Sequence, residues 1–232
     1  MSMRRSLLLV AAFAASGTAC QALALPTPQP TPPPTHTMSA VVQVPVGADK
    51  AHVDTAEAVF ARRLKTLGIT NFTVAVGPTM QFSLVVPDSV DSRAVEAVLH
   101  APGVLAWVPW PNELSDAMPG DRVPPGATPL FDLTTQIAFA GPSTVDGSGQ
   151  PAIEIRLAPQ ASKALAAYTS KHVGDTLPVV LDGVVLTAPT IQSPITNGHL
   201  LLGGPQDDAD TTPLAALAAI LDSGPLPAGW GR

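Results

Sequence analysis

The stretch from Leu177 to Gly204 limits what this chain can fold into more than any other. Asp182-Gly183 separates two apolar runs, Val179 to Leu181 and Val184 to Leu186. A two-residue type I′ hairpin turn needs positive φ at both central positions, and Asp followed by Gly tolerates that. Asn197-Gly198, just before His199 to Leu202, predicts a second hairpin turn. Pro189 and Pro194 lack a backbone donor, so the piece between the turns is expected at a sheet edge or a bend. The segment holds no nucleophile, base or metal-ligand cluster. We read Asp182, Gly183, Val184, Pro189, Ile191, Pro194 and Gly198 as a structural and polypeptide-binding motif, with no catalytic part.

At 232 residues the chain has room for one large or two small domains, and 46% hydrophobic residues suffice for a buried core. Its formal net charge is −6, with only 12 Lys plus Arg. Nucleic-acid binding draws on clustered cations that displace counterions, so no nucleic-acid partner is expected. Aromatic residues, at 4%, also leave few platforms for stacking bases.

Residues 1–24 read as an export signal. Arg4 and Arg5 supply positive charge, and the apolar run from Ser6 to Ala15 is too short to cross a bilayer. Two processing sites are open. Thr18-Ala19-Cys20 matches the end of a lipobox, with Cys20 lipidated after cleavage, although Gly17 stands where Leu is usual. Ala22-Leu23-Ala24 fits ordinary signal peptidase. We take the lipidated reading, because Cys20 is the single cysteine and lies just past the apolar run. Residues 25–37, rich in Pro and Thr, should form a polyproline II tether of about 35–40 Å at ~3.1 Å per residue. The expected location is the outer face of the cytoplasmic membrane, held by the lipid, or free secretion.

Residues 38–110 alternate like a ferredoxin-like lobe. Ser39 to Val46 reads as a strand. A helix opens at Asp54, with Glu57 completing a capping-box-like pair. Ala56, Val59, Phe60, Leu64 and Leu67 form one apolar stripe, and Arg62, Arg63 and Lys65 lie mostly on the other face. Gly68 is a natural stop. Phe72 to Val76 and Phe82 to Val86 alternate with period two, Ser92 to His100 reads as a second helix, and Val104 to Val108 as a fourth strand. The order β-α-β-β-α-β predicts a four-stranded antiparallel sheet with both helices on one face. Residues 111–130, broken by five prolines, read as a linker that permits hinge motion, with Trp107 and Trp110 as an anchor between lobes.

Residues 131–227 predict a second small α+β lobe. It has strands at Leu133 to Phe139 and Ala152 to Leu157, a turn from Ser143 to Gly149, and a helix from Pro159 to His172 closed by Gly174. The two hairpins follow, then an acidic loop at Gln206 to Asp210 and a last helix at Thr212 to Leu221.

Several of these residues together resemble the extracytoplasmic first domain of SecD, a membrane subunit that assists the preprotein translocase. Tyr168-Thr169-Ser170, Gly174, Leu177 through Pro189, Ile191, Pro194-Ile195, Gly198 and Gly203-Gly204 look like that family's head motif. Arg62 through Ile69 looks like its base helix, and Leu221, Gly224, Leu226 and Pro227 look like the segment returning toward the membrane. The resemblance implies a base-plus-head domain over residues 40 to 227. SecD continues into a membrane bundle that carries proton-coupled transport, whereas this sequence ends at Arg232 without the Gly-Leu-Asp-Leu motif. A module without that motor is therefore expected.

The sequence has no His-Glu-x-x-His, no cysteine pair, no Gly-rich phosphate loop and no Gly-x-Ser-x-Gly elbow. His36, His52, His100, His172 and His199 are scattered, and read as surface or helix-end residues. Asp207, Asp208 and Asp210 read as a solvated loop feeding a helix N-terminus, where acids favour the dipole. No cofactor or metal is expected. The main expectation is a non-enzymatic polypeptide-binding module, with the Sec translocon as a candidate partner. The alternative is an envelope lipoprotein that grips one fixed protein partner and has no export role. A hydrolase whose site assembles only in space would need a deep pocket holding a strongly shifted acid or base.

Overall fold

In the computed structural model, residues 32–110, 116–132, 136–143, 152–203 and 214–231 are described. Cys20, the export signal, most of the tether, the turn after Ser143 and the acidic loop lie outside them. The fold is α+β, as expected, and Pro33 to Arg232 form one compact unit.

The first sheet joins β1 (Thr35–Gln43), β2 (Asn71–Val76) and β3 (Thr79–Pro87) in the order β1-β3-β2, antiparallel throughout. Its pleat sends Ala40, Val42, Met80, Phe82, Leu84 and Val86 inward, where all are buried. Helices α1 (Lys50–Thr66) and α2 (Ser92–His100) supply the facing apolar residues. Phe60 meets Phe82 edge-on at 5.4 Å between ring centroids.

Two boundaries differ from expectation. β1 begins at Thr35, inside the expected tether, because β3 offers ladder partners along its whole length, Pro87 opposite Thr35. α1 begins at Lys50 and not at Asp54. The Asp49 carboxylate accepts from the His52 backbone N–H at 2.9 Å and caps the helix, while Asp54 takes the Lys50 ammonium at 2.7 Å.

The fourth strand leaves the first sheet. β4 (Leu105–Trp107) pairs with β5 (Phe131–Asp132) and β8 (Val179–Leu181), in the order β5-β4-β8-β9 with β9 (Val184–Thr187). The expected four-stranded ferredoxin-like sheet therefore has three strands here. All three residues of β4 are buried, so it needs cover on both faces. Leu105, Trp107, Val179 and Leu181 face the main core. Ala106, Val108, Val180 and Val185 form a second small cluster, packed by Trp110, Val123 and Ala127. An outer position beside β1 would not supply that second layer. Trp107 thus sits in the main core and Trp110 on the opposite side of this sheet.

The third sheet has the order β10-β7-β6, from β6 (Ile137–Ser143), β7 (Ala152–Leu157) and β10 (His199–Gly203), all antiparallel. α3 (Pro159–Thr169) covers it together with α4 (Leu214–Ser223). β6–β7 and β8–β9 are the two hairpins of this half; Asn197-Gly198 makes none. β10 pairs with β7 and leaves β9, so the chain crosses between sheets at that step. Asn197 lacks the positive φ that a type I′ turn requires, and its Oδ1 accepts from the His199 N–H at 3.1 Å.

α4 is buried at every position from Ala216 to Leu221, and it packs against α1, α2, β6 and β7. A helix apolar all round is held on all sides. The chain then returns over the base. Trp230 is 2% exposed and meets Phe60 edge-on at 5.9 Å. Among the described residues no helix is long and apolar enough to cross a membrane.

Candidate functional site

The Asp182-Gly183 turn has φ of 53° and 83°, the paired positive values that its sequence predicts. Its role is anchoring as well as turning. The Asp182 carboxylate accepts from the Gly103 N–H at 3.1 Å and the Val104 N–H at 2.7 Å, and the Asp182 N–H donates to the Val104 carbonyl at 2.9 Å. The hairpin tip is thereby locked to the start of β4. Burial pushes the Asp182 carboxyl above its ordinary value, against the pull of the two N–H groups and the Arg63 charge.

Arg63 stands behind this turn. Its guanidinium is 0% exposed, and all five donors are used. Nε donates to Ser223 Oγ at 3.0 Å. One terminal nitrogen donates to the carbonyls of Val98 at 2.9 Å and Ala101 at 2.6 Å, the other to those of Pro102 at 3.2 Å and Gly224 at 3.1 Å. Desolvation lowers its pKa to about 10, with the Asp182 charge acting the other way. A Cβ on Gly103, whose φ is +86°, would lie 2.5 Å from the guanidinium, so only glycine fits. Placing Arg63 on the outer face was therefore wrong. The signal was present: position 63 lies four residues from Val59 and from Leu67, inside the apolar stripe.

The remaining motif residues divide. Ile191 is buried, exchanging backbone bonds with Gly174 and Asp175 at 2.9 Å each. Pro189 is exposed, and its carbonyl accepts from the Leu177 N–H at 2.9 Å, which extends the β8–β9 ladder. Pro194 is exposed. Gly198 is buried against α3, where an added Cβ would meet Ser162 Oγ at 2.6 Å.

Val184 does not present an open edge. The segment after Met118 runs along β9: Gly120 N–H donates to the Val185 carbonyl at 2.8 Å, Val185 N–H to Asp121 at 2.8 Å, and Val123 N–H to Gly183 at 3.0 Å. Residues 120–123 of the expected linker are thus docked against β9, with a β-bridge between Arg122 and Val184. Leu130 N–H also donates to the Trp107 carbonyl at 2.8 Å. These bonds oppose the hinge that the prolines suggested.

On the outer side of the third sheet, Phe139 is 39% and Leu201 is 55% exposed. Arg156 lies over the Phe139 ring with Cζ 4.9 Å from its centroid, and Nε donates to Glu154 Oε1 at 2.7 Å. That bond holds the Glu154 carboxyl below its ordinary value. Gly141, having no side chain, leaves room for the Phe139 ring. Among the described residues no three His, Cys, Asp or Glu side chains are placed to hold a metal. Two cavities of ≈130 Å³ lie in the base, and neither is lined by Arg63 or Asp182.

Residues 133–228 match the family model of the SecDF P1 head subdomain. The chain carries a SecD-type domain. The SecD likeness reaches beyond the head. The SecD protein of Acidaminococcus fermentans is 29% identical over 194 residues, 83% of this chain. That of Rhodobacter capsulatus is 40% identical over 86 residues, 37% of this chain. The chain spans 42% of the first relative's length and 15% of the second's. Among solved structures, SecDF in a super-membrane-facing form overlays with a TM-score of 0.65 at 21% identity, over 83% of this chain and 29% of that one. A second structure, of a SecDF described as a membrane component that enhances protein export, overlays with a TM-score of 0.58 at 20% identity, over 82% of this chain and 95% of that chain. These overlays establish the shared fold.

Proposed function

We propose that this chain is an exported SecD-type module that binds extended polypeptide and assists protein translocation from the extracytoplasmic side. The observation that carries this is the match of residues 133–228 to the SecDF P1 head subdomain, joined by 29% identity to a SecD protein over 83% of the chain. In this reading residues 38–110 act as the base and 131–227 as the head. Lipidation of Cys20 would hold the module at the membrane. A photo-crosslinker at Leu201, on the open face of the head, should capture translocating chains, and pull-down from host membranes should recover translocon subunits. Failure of both would overturn the reading. Radiolabelled palmitate incorporated in the wild type and lost in Cys20→Ala would support the anchor.

The Phe139, Arg156 and Leu201 surface favours a second reading, an envelope protein that binds one fixed partner. Aromatic and Arg residues ringed by polar groups are typical of such contacts. A single stoichiometric partner recovered without translocon subunits would favour it.

A further inference from the structure

We propose that the base lobe captures extended polypeptide by strand addition along the outer edge of β1. In a ferredoxin-like sheet the fourth strand lies beside the first. Here β4 has gone to another sheet, and among the described residues no backbone bond reaches Thr35–Gln43 from any segment but β3. The vacated edge lacks the side chains that usually guard one. Its nine residues include no Lys, Arg, Asp, Glu or Pro.

A cavity of ≈130 Å³ lies along this strand. Val41, Val42 and Gln43 all line it. Successive side chains point to opposite faces, so three in a row place the cavity at the strand's edge. The rest of its wall is Pro45, His100, Gly229 and Gly231. That wall is held in place by the buried Trp230 between the two glycines. A wall of glycine backbone beside an unpaired strand accepts a main chain and demands little of its side chains, as strand addition requires. The occupant is a main chain in extended form, which the polypeptide-binding reading supplies. Val41–Gln43 spans about 10 Å at ~3.3 Å per residue, long enough for the first rungs of a ladder.

The inference rests on the polypeptide-binding reading and assigns the contact to the base. The test uses the full chain with reduced, carbamidomethylated ribonuclease A as a permanently unfolded probe. Hydrogen exchange by mass spectrometry should show amides of Thr37 to Gln43 slowed on binding. Val41→Lys, at a position half exposed to solvent, should weaken binding at least tenfold, while Leu201→Lys on the head leaves it unchanged. Exchange on the unmodified chain keeps the test independent of how the variant folds. Slowing confined to the head, with Val41→Lys neutral, overturns the β1 site and leaves the polypeptide reading standing. No binding of the probe overturns both. Protection of β1 without probe overturns the site as well: if dilution removes it the occupant is a second copy, and if deletion of residues 1–31 removes it the occupant is the chain's own leader.

Discussion

Arg63 Nε donates to Ser223 Oγ at 3.0 Å, joining α1 to the end of α4 across 160 residues of sequence. With its four carbonyl bonds, this one side chain ties together the ends of α1, α2 and α4. Arg63→Ala should cost about 3–5 kcal/mol, because it leaves a hydroxyl and four carbonyls without their donor and opens a cavity among them. Arg63→Lys keeps the charge but offers three donors to five acceptors, so it should recover only part. Urea midpoints of the three proteins measure this; equal midpoints would remove the clamp from the account.

Asp182 predicts a pH signature. Its carboxyl is raised above 3.8 in the folded state, so the folded protein binds that proton more tightly than the unfolded chain does. The stability from this group is fully present below pH 3.8 and is lost as pH rises through the raised value. Asp182→Asn tolerates the turn but does not titrate. The stability of wild type minus variant should therefore fall with pH across that window, on top of a constant offset from the lost acceptor. Paired denaturation curves from pH 3.5 to 7 decide it; a difference that grows with pH contradicts the burial argument.

Gly198 has φ of +64° and sits against Ser162. Gly198→Ala should destabilise by about 1–3 kcal/mol, from backbone strain and overpacking together. The double variant with Ser162→Gly removes the collision but not the strain, so recovery should be partial. Full recovery would show that φ is not the constraint.

Trp230 fills the base core, yet its indole N–H has no acceptor among the described residues. Trp230→Ala should cost about 3–5 kcal/mol. Trp230→Phe should cost far less, about 1–2 kcal/mol, because it also removes a buried unpaired donor. Thermal melts separate the two; a Phe variant as damaged as the Ala variant would imply a partner for the N–H.

Local rules made much of this protein legible in advance. Period-two alternation predicted β2 and β3, and the spacing of Ala56, Val59, Phe60 and Leu64 predicted the buried side of α1. Asp182-Gly183 predicted a type I′ turn because the needed φ values belong to those two residues. What local rules lacked was partner choice. β4 reads as a strand in any sheet, and only the cover available on both faces decides which one. Asn197-Gly198 resembles a hairpin until β10 finds β7.

The amino-acid order by itself determined the class of each element, the tight turn at Asp182 and the likeness to SecD, since these depend on neighbours a few residues away. Tertiary structure alone decided which acceptors surround Arg63, that β9 is already paired along its outer side and that, among the described residues, β1 is not. Those outcomes depend on groups far apart in sequence: five acceptors converging on one guanidinium, and a fourth strand drawn to where both its faces could be covered.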